Sequence, residues 1–154
     1  MYRSMWIMVV GILLAGCATS RRQQQQVDLS MKWKPNLDQP IQQLERILAE
    51  LEQQQPMNYT ISNVAFLYDA KLRILFDDYL ALLPESERVM QIKEQRQWLI
   101  ARKAKVREGY MEFEGGTLAS FSAGQVSIRV TKKRIATIET RIAAAILNPK
   151  AAAL

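Results

Sequence analysis

Histidine is absent from the 154 residues, and Cys17 is the only cysteine. These two absences remove the commonest general base, the thiol nucleophile and the usual zinc ligands. A non-enzymatic protein without metal or cofactor is therefore the expectation. A nucleophilic serine would lack its usual base, and no disulfide can form within one chain. Long hydrophobic runs are scarce as well. The uncharged stretch from Ser4 to Ser20 contains two glycines together with Cys, Thr and Ser, and it is barely long enough beside the ~20 apolar residues of a transmembrane helix. Period-two alternation is missing too, apart from an ambiguous Gln125 to Val130, where the heptad pattern beyond favours helix.

What is present begins with an export layout. Arg3 supplies a positive start, Met5 to Leu14 an apolar run, and Ala15 and Gly16 a small-residue cleavage site before Cys17. Leu14-Ala15-Gly16-Cys17 resembles a bacterial lipoprotein lipobox. The expectation is cleavage after Gly16 and lipidation of Cys17, which anchors the protein to a membrane. Ala18, in place of Asp, fits sorting to the outer membrane with the protein facing the periplasm. Residues 17–37 read as the lipidated end and a polar tether, with Arg21-Arg22 and Gln23 to Gln26 and no apolar period. About nineteen flexible residues have an r.m.s. span of roughly 25 Å. The two arginines either touch headgroups or keep the linker soluble.

Removing sixteen of the 154 residues leaves 138, enough for one domain. Taking Arg3 from the 21 Lys and Arg leaves 20 against 15 Asp and Glu, a formal charge of +5. In a cytosolic protein that charge suggests nucleic acid. Export points away from nucleic acid and toward anionic headgroups, lipopolysaccharide or an acidic patch on a protein.

The spacing of apolar residues predicts helices over 38–148. A first follows Asp38 and Pro40, with Ile41, Leu44, Leu48 and Leu51, and Gln53 to Pro56 ends it. A second runs from about Ser62 to Leu83, carrying a stripe from Val64 through Leu72 and Phe76 to Leu83 that is too broad for a surface helix. After Pro84 a third reaches about Glu114, with Ile92, Leu99, Val106 and Phe113 seven apart, and Glu85 and Glu87 suited to its N-terminal dipole. Gly115-Gly116 marks a reversal. After a short loop, Ile128, Thr131, Ile135, Ile138, Ile142 and Ala145 form an a/d pattern up to Asn148-Pro149, with 149–154 as a tail. The expected fold is all-α, an antiparallel bundle of three long helices plus one N-terminal helix packed across it.

Few side chains invite chemistry. Asp77-Asp78 are adjacent on a helix and point about 100° apart, which suits a solvated face. Glu112 and Glu114 flank the glycine turn at a helix C-terminus, where carboxylates are disfavoured, so a partner-facing role is expected rather than glycoside chemistry. Arg102-Lys103, Lys105 and Arg107 precede the turn, and Arg129, Lys132, Lys133 and Arg134 follow it. Folding back brings the groups together, either as a patch for phosphate or an acidic protein surface, or as ordinary solvated faces. A reversal centred on Gly116 also places Trp98 level with Arg134, and Val106 level with Val126.

Gln95-x-x-Trp98-Leu99-x-x-Arg102, Glu114-Gly115-Gly116-Thr117 and Thr131-x-x-Arg134 occur in that order. Met57-Asn58, Asp69-x-x-Leu72 and the Leu80 to Pro84 segment precede them. This succession, from Met57 to Ile138, resembles the LprI-like lysozyme-inhibitor domain family of small exported proteins and lipoproteins. The family commonly carries cysteines where this chain has Val106 and Val126. Its acidic residue after the motif arginine is Lys103 here, and its aromatic before it is Ala101. The resemblance implies a protein partner, a lysozyme or another peptidoglycan hydrolase, blocked by occlusion. Gly115, Gly116 and Thr117 would enter a cleft while Glu112 or Glu114 met basic rim residues. Gln95, Trp98, Arg102, Val106, Val126, Thr131 and Arg134 would be structural. Lysozymes are generally cationic, so a partner of +5 must present acidic groups locally. The alternative expectation is a structural or accessory lipoprotein of an envelope-spanning assembly, using the basic patch or the apolar stripe of the first helix.

Overall fold

A computed structural model describes residues 34–147, so Cys17, the signal segment and most of the tether lie outside the described residues. Four helices follow one another: α1 (Asp38–Glu50), α2 (Gln54–Leu82), α3 (Glu85–Met111) and α4 (Thr117–Leu147). The described residues contain no strand, and Gln125 to Val130 is helix. No helix among them is long and apolar enough to cross a membrane.

The broad stripe on α2 is explained by its two neighbours. Val64, Tyr68, Leu72, Phe76, Tyr79 and Leu83 are buried, with α1 against one flank of the helix and α4 against another. Ile41 of α1 and Ile135 and Ile138 of α4 complete this core. Each such aliphatic or aromatic side chain contributes roughly 1.5 to 3 kcal/mol on burial. Asn58 pairs with Thr117, Gly124 packs on Ile61, and Lys132 sits over Tyr68. Numbers rise together along α2 and α4, so these two helices run parallel, while α3 runs opposite to both. The three long helices form an up-down-up bundle.

A polar clasp fastens α1. Tyr68 Oη and Lys132 Nζ both donate to Glu45 Oε1, at 3.0 and 2.8 Å, and Lys71 donates to Asp38. Burial pushes the Tyr68 hydroxyl above its ordinary pKa, and its hydrogen bond to Glu45 adds to the shift. The hydrogen bond to Glu45 holds Lys132 above its usual value.

Three boundaries and one face differ from the sequence expectation. Helix α2 starts at Gln54, not near Ser62, because Pro56 falls in its first turn, where a missing N–H costs nothing. Helix α3 stops at Met111 rather than Glu114, and α4 begins at Thr117, with no further loop after the two glycines. The third helix does not bury the row Ile92, Leu99, Val106, Phe113: Leu99 and Phe113 are exposed, and Ile92 and Val106 are half-buried. Its buried residues are Gln95 and Gly109. The inward face of α3 is polar because α2 and α4 supply it with partners.

Two helix-interior glycines let α4 approach closely. A Cβ on Gly109 would lie 2.7 Å from Val126 Cγ2, and one on Gly124 would lie 3.0 Å from two carbons of buried Ile61. Replacing a helical glycine by alanine normally stabilises by ~1 kcal/mol, but overpacking a full core costs about 1 to 3 kcal/mol. Gly124→Ala is therefore expected to lower stability by about 1 kcal/mol. In an Ile61→Ala background, where all three contacting carbons are gone, the same substitution should lose this penalty. Urea unfolding midpoints in the two backgrounds test this, and a stabilised Gly124→Ala with Ile61 in place would refute the close packing.

Candidate functional site at the hairpin tip

The α3–α4 connection is a five-residue turn, Glu112–Gly116. The Glu112 amide still donates to Glu108 O, that of Glu114 to Met111 O, and that of Gly116 to Phe113 O. The chain then turns through two left-handed residues, Glu114 at φ 51° and Gly115 at φ 76°. Glycine adopts this conformation freely; glutamate does so at a cost of roughly 1 to 2 kcal/mol. Tyr110 packs beneath Gly115, and Asn58 Nδ2 donates to Thr117 O at 3.0 Å, tying the tip to the start of α2.

Every residue from Tyr110 to Leu118 is exposed. The tip therefore presents Glu112, Glu114, Gly115, Gly116 and Thr117 to solvent together. Thr117 is the first residue of α4 rather than a loop residue, so its side chain stands on a rigid base. Between the two carboxylates sits Phe113, 41% exposed, flanked by Met111 at 58% and Leu118 at 47%. Exposed apolar groups clustered at one protruding end, among acidic ones, form a surface suited to contact with another protein. Behind them a depression of about 280 Å³ is lined by Phe113, Leu118, Phe121 and Arg129, among others.

The remaining motif residues converge about halfway along the bundle. Arg102 donates from both terminal nitrogens to the Asp69 carboxylate of α2, and from Nη1 to Thr131 Oγ1 of α4 at 3.1 Å. Arg134 donates from Nε to Gln95 Oε1 and from Nη1 to Glu94 Oε1, both at 2.9 Å. The expected pairing of Trp98 with Arg134 is present, with the guanidinium carbon 5.6 Å from the ring, and Arg102 approaches the same indole at 5.3 Å. Gln95, Trp98, Arg102, Thr131 and Arg134 are thus one structural cluster. Val106 is half-buried on α3, and half-buried Val126 packs its side chain onto Gly109.

The basic residues flanking the turn do not form one patch. Arg102 is committed to Asp69, Arg134 to Glu94 and Lys132 to Glu45. Lys105, Arg129 and Lys133 instead line a groove of about 760 Å³ between α3 and α4. Sequence reasoning missed Glu94 and Arg141. Arg141 donates from both terminal nitrogens to Glu94 and from Nη1 to Gln91. The register that pairs Trp98 with Arg134 also sets Gln91 level with Arg141, so this signal was available. Among the described residues no group of three or more metal-ligating side chains occurs.

Hydrogen bonds from Arg141, then Arg134, hold the Glu94 carboxyl below its ordinary value near 4.5, against the opposing effect of burial. A carboxylate with a lowered folded-state pKa contributes stability that is complete above its unfolded value and is lost as pH falls through the folded one. Glu94→Gln should be less stable than the parent at neutral pH and should show a shallower loss below about pH 4.5. Thermal melts of both proteins between about pH 7 and pH 3 measure this, and parallel curves would contradict it.

No family model matches the chain, and neither does any curated protein or solved structure.

Proposed function

We propose that the chain is a non-enzymatic bacterial lipoprotein, anchored in the outer membrane through Cys17 and facing the periplasm. Its hairpin tip binds and occludes a lysozyme or another peptidoglycan hydrolase. The observation that carries the binding reading is the tip itself, where Glu112 and Glu114 flank exposed Phe113 on a five-residue turn with two residues at positive φ. Glutamate held in the left-handed region is the kind of local strain that persists where the surroundings over-determine a functional geometry. The ordered motif set resembling LprI-like inhibitors supports the choice of partner. So does the placement of acidic groups at the tip of a basic chain, which supplies local complementarity to a cationic enzyme despite a net charge of the wrong sign.

A second reading, an accessory lipoprotein of an envelope-spanning assembly, has less surface to work with. On α1, Ile41 is buried and Leu44 packs against the core, while Leu48 is half-buried and Ile47 exposed, so the core takes up the first part of that helix's apolar stripe.

The test is a lysis assay with the chain from Ala18 onward against chicken-type, goose-type and invertebrate-type lysozymes. Inhibition of at least one is expected. Thr117→Trp should abolish it with the melting temperature nearly unchanged, because an exposed site tolerates bulk. Gly116→Arg should act alike but with some loss of stability, since a Cβ there would meet Phe113 O at 3.2 Å. If all three enzymes stay fully active at high micromolar protein, the assembly reading replaces this one.

Anchoring is tested separately. Acyl chains contribute ~0.8 kcal/mol per buried CH₂, so the native protein should stay with membranes through high-salt washing. Cys17→Ser should escape normal processing. Recovery of the native protein as an unlipidated periplasmic species would overturn the anchor.

A further inference from the structure

The groove between α3 and α4 carries a charge pattern that hairpin-tip binding does not use. At one end lie Trp98, Arg134 and Lys133, in the middle Lys105, Arg129 and Val130, and toward the tip Glu108 and Glu112. Among the described residues Lys105, Arg129 and Lys133 form no ion pair. Lys105 stands one helical turn from Glu108, which offsets its charge. Arg129 and Lys133, one turn apart on α4, set two cationic side chains side by side, with Glu112 toward the tip as the carboxylate nearest Arg129 in the lining.

Arg134 forms a fixed wall to that end. Its side chain is 8% exposed, held by Gln95 and Glu94, yet its Nη2 is buried with no hydrogen-bond partner. A guanidinium offers a planar fork that matches an oxyanion, and an ammonium adds a compact charge beside it. The volume of about 760 Å³ suits a small organic molecule. A carboxylate would neutralise only one of the two charges; a phosphate monoester, at about −1.5 to −2, matches both.

We propose that the basic end of the α3–α4 groove binds a phosphate monoester, with Arg129 and Lys133 on the phosphate and the attached carbon skeleton over Trp98 and Val130. Glu108 and Glu112 exclude the anion from the tip end and so fix which way the ligand lies. The site shares Glu112 with the tip, and its test leaves that residue in place, so its outcome is read separately from the tip's.

The experiment uses the full chain in detergent with Trp6→Phe and Trp33→Phe, so that Trp98 is the only indole. Glycerol 3-phosphate at millimolar concentration should change Trp98 emission saturably and give a matching calorimetric isotherm, while glycerol should do neither. Arg129→Gln combined with Lys133→Gln should weaken binding about tenfold or more without altering the melting temperature, because both side chains are exposed. Dihexanoyl phosphatidic acid separates two sources of the same chemistry: tighter binding than glycerol 3-phosphate assigns the phosphate to a lipid headgroup, and equal binding to a soluble ester. The proposal is overturned if neither ester binds or if the double variant keeps full affinity. Tighter binding of oligoglutamate also overturns it, assigning the groove to an acidic protein segment.

Discussion

Trp98 and the two guanidinium groups beside it set the register on which the rest of the bundle depends. Arg102 comes from the same helix as the indole, one turn on, and Arg134 comes from α4. Each is then committed to a different neighbour, Arg102 to Asp69 on α2 and Arg134 to Glu94 and Gln95 on α3. Sliding α4 by one turn against α3 would separate Arg134 from both acceptors and from the ring. It would also separate Thr131 from Arg102. Between α2 and α4 the register is held by the close approach of Gly124 to Ile61 and by the Asn58 hydrogen bond to Thr117. Directional hydrogen bonds to charged groups discriminate where aliphatic contacts do not.

This arrangement accounts for an α3 that packs little apolar surface. A helix whose fully buried residues are glutamine and glycine, with Ile92 and Trp98 partly buried against the core, gains less from the hydrophobic effect than its neighbours. It is held instead by charged groups, each with a specific acceptor, and by close backbone approach at Gly109. The Arg102–Asp69 pair is bidentate, with Arg102 mostly buried and Asp69 more open. Its contribution falls between the ~1 kcal/mol of an exposed pair and the several kcal/mol lost on breaking a buried one. Stability is therefore unevenly distributed. The α1–α2–α4 side is a conventional core around Val64, Leu72 and Ile138, whereas α3 is attached through polar contacts that respond to pH and charge substitution.

That division also explains what the sequence revealed. Helix count, order and the apolar faces of α2 and α4 were legible because burial there follows a simple period, and Val64, Leu72, Ile135 and Ile138 lie where the pattern puts them. The face of α3 was not, because periodicity weighs apolar residues alone and so chose Leu99 and Phe113 over Gln95 and Arg102. The motif succession picked out those polar residues, and the hairpin register brought Trp98 to Arg134 without any knowledge of partners. Proline and glycine misled in opposite ways. Pro56 signals a break in sequence yet stands in the first turn of α2, and Gly109 and Gly124 carry no apolar signal although each marks a close approach of two helices. At the tip, the exposed glutamates and glycines were legible; the flanking Met111 and Leu118 were not, because an exposed apolar residue looks the same in sequence as a buried one.

The position of the tip follows from the same register. About ten residues separate Arg102 from Glu112, so roughly 15 Å of helix carries the turn beyond the polar cluster. Along that length α3 and α4 are joined by Gly109 against Val126, and the turn is steadied by Asn58 reaching Thr117. Polar residues at the cluster hold the two helices in fixed rotation, which in turn decides that Glu112 and Phe113 face outward at one end and that Arg129 and Lys133 flank the groove behind them. The tip needs no core of its own: its geometry follows from the polar cluster further along the bundle and from Asn58 and Tyr110 at its base, and its residues stay exposed.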